Sequence, residues 1–142
     1  MNNAVISIIG KQRYADSNEW DVTEFTTEGV YEKTEKGCRI LYNEGDMIGA
    51  ENVKSEVIVE DDKRAQIIRN GPVSSRMMVE KEKRHICFYS TPEGDFTIGI
   101  FGQTIKTEFE DIGNIYMSYT IDVNSSLISE NIMEIKIKEI RQ

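Results

Sequence analysis

Apolar and polar residues take alternate places along most of this chain. In its last clear segment, Met133, Ile135 and Ile137 are separated by single glutamate or lysine residues. Successive side chains of a β-strand point to opposite faces, so a period of two residues is typical of a strand with one buried face. The pattern therefore predicts a protein built almost entirely of half-buried strands.

Ten segments follow this pattern, and residues that favour turns separate them. The predicted strands cover residues 4–13, 20–31, 38–44, 53–60, 64–69, 75–80, 84–91, 96–109, 115–123 and 132–140. The eighth is long for one strand, and Gly99 and Gly102 within it predict a bulge or a sharp bend. The best helix signal is short and covers 125–130, where Ser and Asn residues favour the start of a helical turn.

The short connections between these strands indicate that successive strands are antiparallel neighbours. An open sheet of ten strands leaves two edges exposed, and closure into a barrel removes both. We therefore predict an all-β fold, a single antiparallel up-and-down β-barrel of about 8–10 strands with little helix. The alternative is a two-sheet sandwich, which needs Greek-key crossovers for which the connections look too short. No repeat or linker divides the chain, so one domain is expected over residues 1–142.

The chain is acidic, with 25 Asp and Glu against 17 Lys and Arg and a net charge of -8. Nucleic acids and anionic membranes both bind through basic side chains, so this balance argues against either partner. No apolar run approaches the length of a membrane helix, and the N-terminus lacks the pattern of a signal peptide. A cytoplasmic location is therefore expected, with Cys38 and Cys87 as free thiols.

Motifs of catalysis or metal binding are absent from the sequence. The chain contains no P-loop, GxGxxG, GxSxG or HExxH pattern. His85 is the single histidine, and with Cys87 it falls short of the four ligands that zinc prefers. Acidic neighbours such as Asp61 and Asp62 fit turns, where aspartate bonds to the local backbone. We predict no catalytic residue, no metal and no cofactor, and an enzyme is not the favoured interpretation.

The strongest candidate for a binding site is a pair of charges, Glu44 and Arg69. If the more apolar face of each strand points inward, Ile40, Tyr42 and Glu44 share the inner face of the third strand. Ile67 and Arg69 share the inner face of the fifth strand. Both charges then lie at the same mouth of the barrel, about 10 Å apart across two strand spacings. The pair would orient a polar head group, with arginine clasping a carboxylate or phosphate. The alternative is a structural pair at the rim.

Other inward positions would line a cavity if the barrel is hollow. Tyrosine combines an apolar ring with a polar hydroxyl, which suits a cavity and suits an ordinary core equally well. Methionine adapts to ligands of varied shape, and cores use it routinely. The predicted lining consists of Ile40, Tyr42, Ile67, Met77, Phe96 and Tyr119, with Glu44 and Arg69 at the mouth.

Several short segments, taken in order, resemble one family of small proteins. They are TEGVY at 27–31, LYNE at 41–44, IRNG at 68–71, TPEG at 91–94 and IYMSY at 115–119. Their order and spacing resemble the YwiB-like family of Gram-positive bacteria, a domain of unknown function, over about residues 6–140. The resemblance implies a calycin-type barrel, the architecture of lipocalins and fatty-acid-binding proteins, and it transfers no catalytic residue. Such barrels hold one small ligand or are filled with side chains.

Two functions follow as hypotheses. The favoured one is a barrel that binds a small amphipathic or hydrophobic ligand. The alternative is an interaction module with a filled barrel, which contacts a protein partner through an exposed edge, a loop or the acidic surface. Trp20 and Phe25, on the loosely alternating second strand, are the first place to look for such a contact.

Overall fold

Ten strands account for most of the protein in a computed structural model, which describes residues 2–43, 53–71, 74–109 and 113–140. These ranges contain no helix. The strands are β1 (Asn2–Tyr14), β2 (Asp21–Lys33), β3 (Gly37–Asn43), β4 (Lys54–Glu60), β5 (Arg64–Asn70), β6 (Ser74–Glu80), β7 (Arg84–Thr91), β8 (Gly94–Phe109), β9 (Gly113–Val123) and β10 (Ser126–Glu139).

The strands form a closed barrel in which each strand pairs with its neighbours in sequence and β1 also pairs with β10. Every pair is antiparallel, and the closing pair runs from Ala4 opposite Glu139 to Tyr14 opposite Ser129. The predicted all-β, up-and-down antiparallel barrel is therefore confirmed, with ten strands and no helix in the described ranges. Closure matters because the first and last strands, which would be the two edges of an open sheet, pair with each other.

The barrel has two ends, which we call upper and lower. The carboxyl ends of β1, β3, β5, β7 and β9 lie at the upper end, and the start of β1 and the end of β10 lie at the lower end. The lower-end turn at Asp61 and Asp62 and the upper-end turn at Asn124 and Ser125 have positive φ at both residues. Such turns match the twist of antiparallel strands, and Asp and Asn tolerate this conformation better than most residues.

The short helix expected over 125–130 was wrong. A two-residue turn at Asn124 and Ser125 leads directly into β10, which begins at Ser126. A register shift between Leu127 and Ser129 then marks a β-bulge. The Ser and Asn residues that predicted a helix start instead form the turn and part of the inner wall. Pairing of β10 with β9 outweighs the local preference of these residues for a helical turn.

The bulge predicted in the long eighth strand is present, since the register of β8 against β9 shifts between Gly102 and Thr104. At this bend β8 also meets the β6–β7 turn. The Glu82 amide donates to the Gly102 carbonyl at 2.8 Å, and the Gly102 amide donates to the Lys83 carbonyl at 3.2 Å. A Cβ atom at Gly102 would lie 2.3 Å from the Glu80 carbonyl oxygen, so only glycine permits this approach.

The β6–β7 pairing is short. The two strands are in register only where residues 74–76 face residues 88–90. Further along, the Met78 amide donates to the Cys87 sulfur at 3.4 Å. A thiol is a weak acceptor, so this part of the wall is held less tightly than a regular ladder.

Inward-facing side chains fill the lower part of the barrel with apolar atoms. Eight of them are 0% exposed: Ala4, Ile6, Cys38, Ile40, Val57, Ala65, Val79 and Met117. Ile100 of β8 is also 0% exposed and lies opposite Ile121, nearer the upper end. Burial of this kind is the main favourable contribution to folding.

On the outer wall, an arginine crosses one strand to reach a carboxylate on the next. Arg84 of β7 donates to Asp122 of β9 through Nε at 2.9 Å and Nη2 at 2.6 Å. The guanidinium passes over Gly99 of β8, where a Cβ atom would lie 2.5 Å from Arg84 Nη2 and 2.6 Å from Asp122 Oδ1. Asp122 Oδ1 also accepts the Ser125 amide at 3.2 Å, which ties the pair to the β9–β10 turn.

We expect Gly99→Ala to destabilise the protein by about 1–3 kcal/mol, because the new methyl group overlaps the bidentate pair and forces it apart. In an Arg84→Ala background, the same change is expected to cost much less, since alanine fits a strand better than glycine. Urea unfolding of the two single variants and the double variant measures this coupling. Equal costs in both backgrounds would show that the overlap with Arg84 is not the cause. Thr97→Ala, an exposed outward change on the same strand, is the control.

Candidate functional site

Polar side chains collect on the inner wall towards the upper end. Residues directly opposite each other on neighbouring strands share a face, and one such row crosses five strands. Tyr42 of β3 faces Ser55 of β4, Ser55 faces Arg69 of β5, and Arg69 faces Ser75 of β6. Ser75 then faces Tyr89 of β7. Ser55 and Ser75 are 2% and 7% exposed, so the row places hydroxyl groups in the interior on both sides of a guanidinium.

A second group of polar side chains lies on the wall formed by β9, β10 and β1. Tyr119 faces Asn131, and Asn131 faces Gln12. The Gln12 amide nitrogen donates to Asn131 Oδ1 at 3.1 Å, and Asn131 Nδ2 donates to Ser129 Oγ at 3.1 Å. Ser129 is 1% exposed, so this network stabilises polar groups that would otherwise be buried at a cost.

Several larger side chains on the inner wall are only partly buried, whereas in the lower part Phe109 of β8 is a partly buried exception among mostly buried residues. They lie from the middle of their strands to the upper end, and we call this set the upper cup. Its members are Gln12, Phe25, Arg69, Met77, Tyr89, Ile98, Ile121 and Met133. The upper cup thus presents apolar surface and one charged group together, above a mostly buried apolar core.

The charge of Arg69 acts across the interior of the barrel. Burial raises the pKa of Tyr119 to about 12, and the nearby positive charge of Arg69 acts in the opposite direction. Arg69 and Tyr119 belong to β5 and β9, so the effect of Arg69 reaches the far wall. Burial likewise raises the pKa of the Cys38 thiol to about 11, which makes this thiol a poor nucleophile.

The predicted lining residues take three different positions. Ile40 and Ile67 are 0% and 2% exposed and belong to the filled core. Tyr42 is also buried, and its ring packs on Phe25 with a centroid separation of 6.2 Å. Tyr119 is buried beside the upper cup. Arg69 and Met77 belong to the cup, and Glu44, the other half of the predicted charge pair, lies outside the described residues.

Two of the predicted positions need correction. Phe96 was expected to line the interior, but it is 54% exposed at the upper rim. It pairs with Tyr89 on one side, while the register with β9 begins only at Gly99, so no neighbouring strand covers it there. Phe25 was suggested for an outer contact surface, but it faces inward against Tyr42. Trp20 is 38% exposed, and the Arg13 guanidinium lies 5.0 Å above its ring.

Sequence reasoning missed Ser55, Ser129 and Asn131. The inward position of Ser55 could have been predicted, because Ser55 lies between Val53 and Val57 in the inward-facing phase of β4. The other two fell in or beside the segment read as a helix. The bulge after Leu127 also changes the phase of β10, so simple alternation cannot place them.

Other kinds of site find little support in the described parts of the chain. His85 Nε2 lies 2.7 Å from Glu80 Oε1, and Lys83 Nζ lies 3.3 Å from Glu80 Oε2. The hydrogen bond with His85 and the charge of Lys83 lower the pKa of Glu80, which fits a structural cluster at the β6–β7 turn. Across residues 2–43, 53–71, 74–109 and 113–140, no three His, Cys, Asp or Glu residues converge as metal ligands. No helix in those ranges is long and apolar enough to cross a membrane.

Comparison with known proteins decides the family. The sequence matches the family described as Domain of unknown function (DUF1934) over residues 6–135. The chain belongs to this family. Its fold is similar to the crystal structure of the YwiB protein from Bacillus subtilis, with a TM-score of 0.81 over 99% of this chain and 93% of that chain. The two sequences are 18% identical, so the likeness shows a shared fold. No curated protein matches the chain.

The resemblance to the YwiB-like family is thereby confirmed. The family description assigns no function to a DUF1934 domain, so any function has to be argued from the residues of the barrel.

For this DUF1934 domain we expect stability to fall as the pH rises above 10, because the pKa of Tyr119 is 10.0 in the unfolded chain and about 12 in the folded one. Between these values the unfolded state releases a proton that the folded state keeps. Tyr119→Phe removes this contribution, so its free energy of unfolding, measured in urea, should fall by about 1.3 kcal/mol less than that of wild type between pH 9 and pH 11. The thiol of Cys38 contributes in the same direction and is present in both proteins.

Tyr116→Phe is the matched control, because Tyr116 lies on the same strand and faces outward. Parallel pH curves for wild type and Tyr119→Phe would contradict the assignment of Tyr119 as a buried, high-pKa group.

Proposed function

We propose that this protein binds a small amphipathic ligand in the upper cup. The observation that carries the proposal is the division of the inner wall. The inward-facing side chains of the lower part are mostly buried, whereas several inward-facing side chains towards the upper end keep partly exposed surface. Binding sites for small molecules combine apolar walls with a few convergent polar groups, and the upper cup has this composition.

The width of the barrel supports the proposal. An interior of about eight strands is just wide enough for side chains to fill, and the diameter grows with strand number. This barrel has ten strands. Its lower part is closed by large aliphatic side chains, so a ligand enters from the upper end and stays there, without displacing the core.

The apolar members of the upper cup suit a flexible ligand of variable shape. Met77 and Met133 have unbranched, polarisable side chains that repack at low cost. Ile98 and Ile121 add rigid apolar surface, and both are partly exposed on the inner wall. A short acyl or aromatic group lying on these four side chains would bury apolar surface that is now partly wet.

We also propose that the barrel is of the calycin type and acts in the cytoplasm. The calycin type is proposed from the analogy of fold with small ligand-binding barrels alone. The cytoplasmic location is proposed because Cys38 and Cys87 are free thiols, which suits a reducing compartment.

The competing function is contact with a protein partner through the outer wall. Its best support is on β7, where Ile86 and Phe88 face outward and are 53% and 72% exposed. A partner that covers this face would depend on Phe88, whereas a ligand in the upper cup would not. Phe88→Ser therefore separates the two functions.

We expect Met77→Trp to abolish ligand binding, because the indole occupies space at the centre of the upper cup. Met78→Trp is the matched control, since Met78 is the next residue and faces the other side of the wall. A ligand at one hundred times its Kd stabilises a protein by about 2.7 kcal/mol, which raises the Tm by several degrees. Thermal shift with a panel of short-chain amphiphiles measures the effect on both variants and on Phe88→Ser.

The proposal requires a shift in wild type, Met78→Trp and Phe88→Ser and none in Met77→Trp. Ile121→Trp provides a second filling variant at another position of the cup. Equal shifts in all variants, or no shift in wild type across the panel, would rule out binding in the upper cup.

A further inference from the structure

The outer face of β7 carries an apolar patch that the fold leaves uncovered. Ile86 and Phe88 are consecutive outward-facing residues of this strand, and they are 53% and 72% exposed. Phe88 has the highest exposed fraction of all large apolar side chains in the described ranges. Full burial of such a side chain is worth about 1.5–3 kcal/mol, so a surface that covers both residues gains stability. We call Ile86 and Phe88 the β7 patch.

Opposite charges flank the β7 patch on its two sides. On β6, Arg76 lies directly opposite Phe88. On β8, Thr97 lies opposite Phe88, and Asp95 lies opposite Ser90, one outward position further along. Asp95 accepts a hydrogen bond from the Ser90 hydroxyl at 2.6 Å, and within the described ranges neither Arg76 nor Asp95 has an ion-pair partner. The patch therefore has an unpaired cation on one side and an unpaired anion on the other.

This arrangement is complementary to itself. When two copies are related by a two-fold axis that runs along β7, β6 of each copy lies over β8 of the other and the two Phe88 rings meet at the axis. Arg76 then faces the partner's Thr97, and the partner's Asp95 is two residues along the strand, about 7 Å away. An arginine side chain spans such a distance, so the contact holds two identical ion pairs. A two-fold axis perpendicular to β7 at Phe88 would instead bring the two arginines together.

We propose that this protein forms an isologous homodimer through the β7 patch, in which Arg76 of each copy binds the partner's Asp95. Aromatic and arginine side chains are enriched among the residues that dominate binding energy at interfaces. The net charge of -8 makes two copies repel each other, so the local ion pairs determine which faces meet. The dimer uses the outer wall, goes beyond ligand binding in the upper cup and does not depend on it.

Sedimentation velocity tests this dimer. Three strands of one wall make a smaller contact than a standard interface, so we expect a micromolar Kd, measured from about 5 to about 500 μM protein. Phe88→Ser and Arg76→Glu should each weaken association by about tenfold or more. Lys138→Glu, an exposed change of the same charge on β10, is the matched control and should alter the Kd by less than about threefold.

An exchange of charges distinguishes this geometry from the general adhesiveness of an apolar face. Arg76→Glu and Asp95→Lys should each be largely monomeric alone, because like charges then meet at both ends of the contact. An equimolar mixture of these two variants should form a heterodimer of nearly wild-type affinity, because every charge at the contact again faces its opposite. The substituted side chains are all exposed, and thermal unfolding checks that each variant is folded.

Three outcomes would overturn the proposal. They are a wild type that stays monomeric at the highest concentration, a dimer that Phe88→Ser leaves intact, and a mixture of the two charge variants that stays monomeric. None of these outcomes bears on the upper cup, because ligand binding there is measured separately with Met77→Trp and Met78→Trp.

Discussion

Closure of the backbone ladder between the first and last strands is the constraint on which the rest of this structure depends. β1 pairs with β10 in continuous register from Ala4–Glu139 to Tyr14–Ser129. Without that seam, two long strands would present unpaired backbone groups at sheet edges. With it, alternate side chains of all ten strands are forced into one enclosed space. Every property of the interior follows from which residues occupy those alternate positions.

The interior has two halves with different chemistry. Aliphatic side chains close the lower half and contribute most of the burial that stabilises the fold. Towards the upper end, the same alternating positions carry Arg69, Ser55, Tyr119 and Asn131, which cost free energy to bury. A barrel selected only for stability would continue the aliphatic packing upward. The amide network around Asn131 is satisfied internally, whereas the Ser55 hydroxyl has no partner among the described residues.

Strand number, antiparallel order and closure followed from sequence because the period of two residues is a direct consequence of strand geometry. The bulge near Gly102 was also predictable, since glycine in a long strand indicates a close approach. The start of β10 was not, because the β9–β10 turn and the bulge after Leu127 shift the phase that alternation relies on. In the candidate site, the inward phase of Tyr42, Arg69 and Tyr119 was correct.

The exposure of Phe96 could not be derived from its inward phase, because it depends on how far β8 extends beyond β9. The alternating pattern predicts whether a side chain faces inward or outward. How deep that side chain lies within the barrel depends on the stagger of the paired strands. Ile40 and Ile67 illustrate the same limit, since both face inward and both lie in the filled core. Depth requires long-range pairing, which no local pattern reports.

The short pairing between β6 and β7 has a dynamic consequence. Of the ten strand pairs in the described residues, this one has the fewest paired positions, and the Met78 amide donates to the Cys87 thiol, a weak acceptor. Local opening draws on regions with few backbone hydrogen bonds, so the wall parts here before it parts elsewhere. Met77 stands beside this seam and belongs to the upper cup. Local opening along β6 and β7 therefore exposes Met77 through the side of the barrel, and deuterium reaches the Met78 amide ahead of the amides of the β1–β10 ladder.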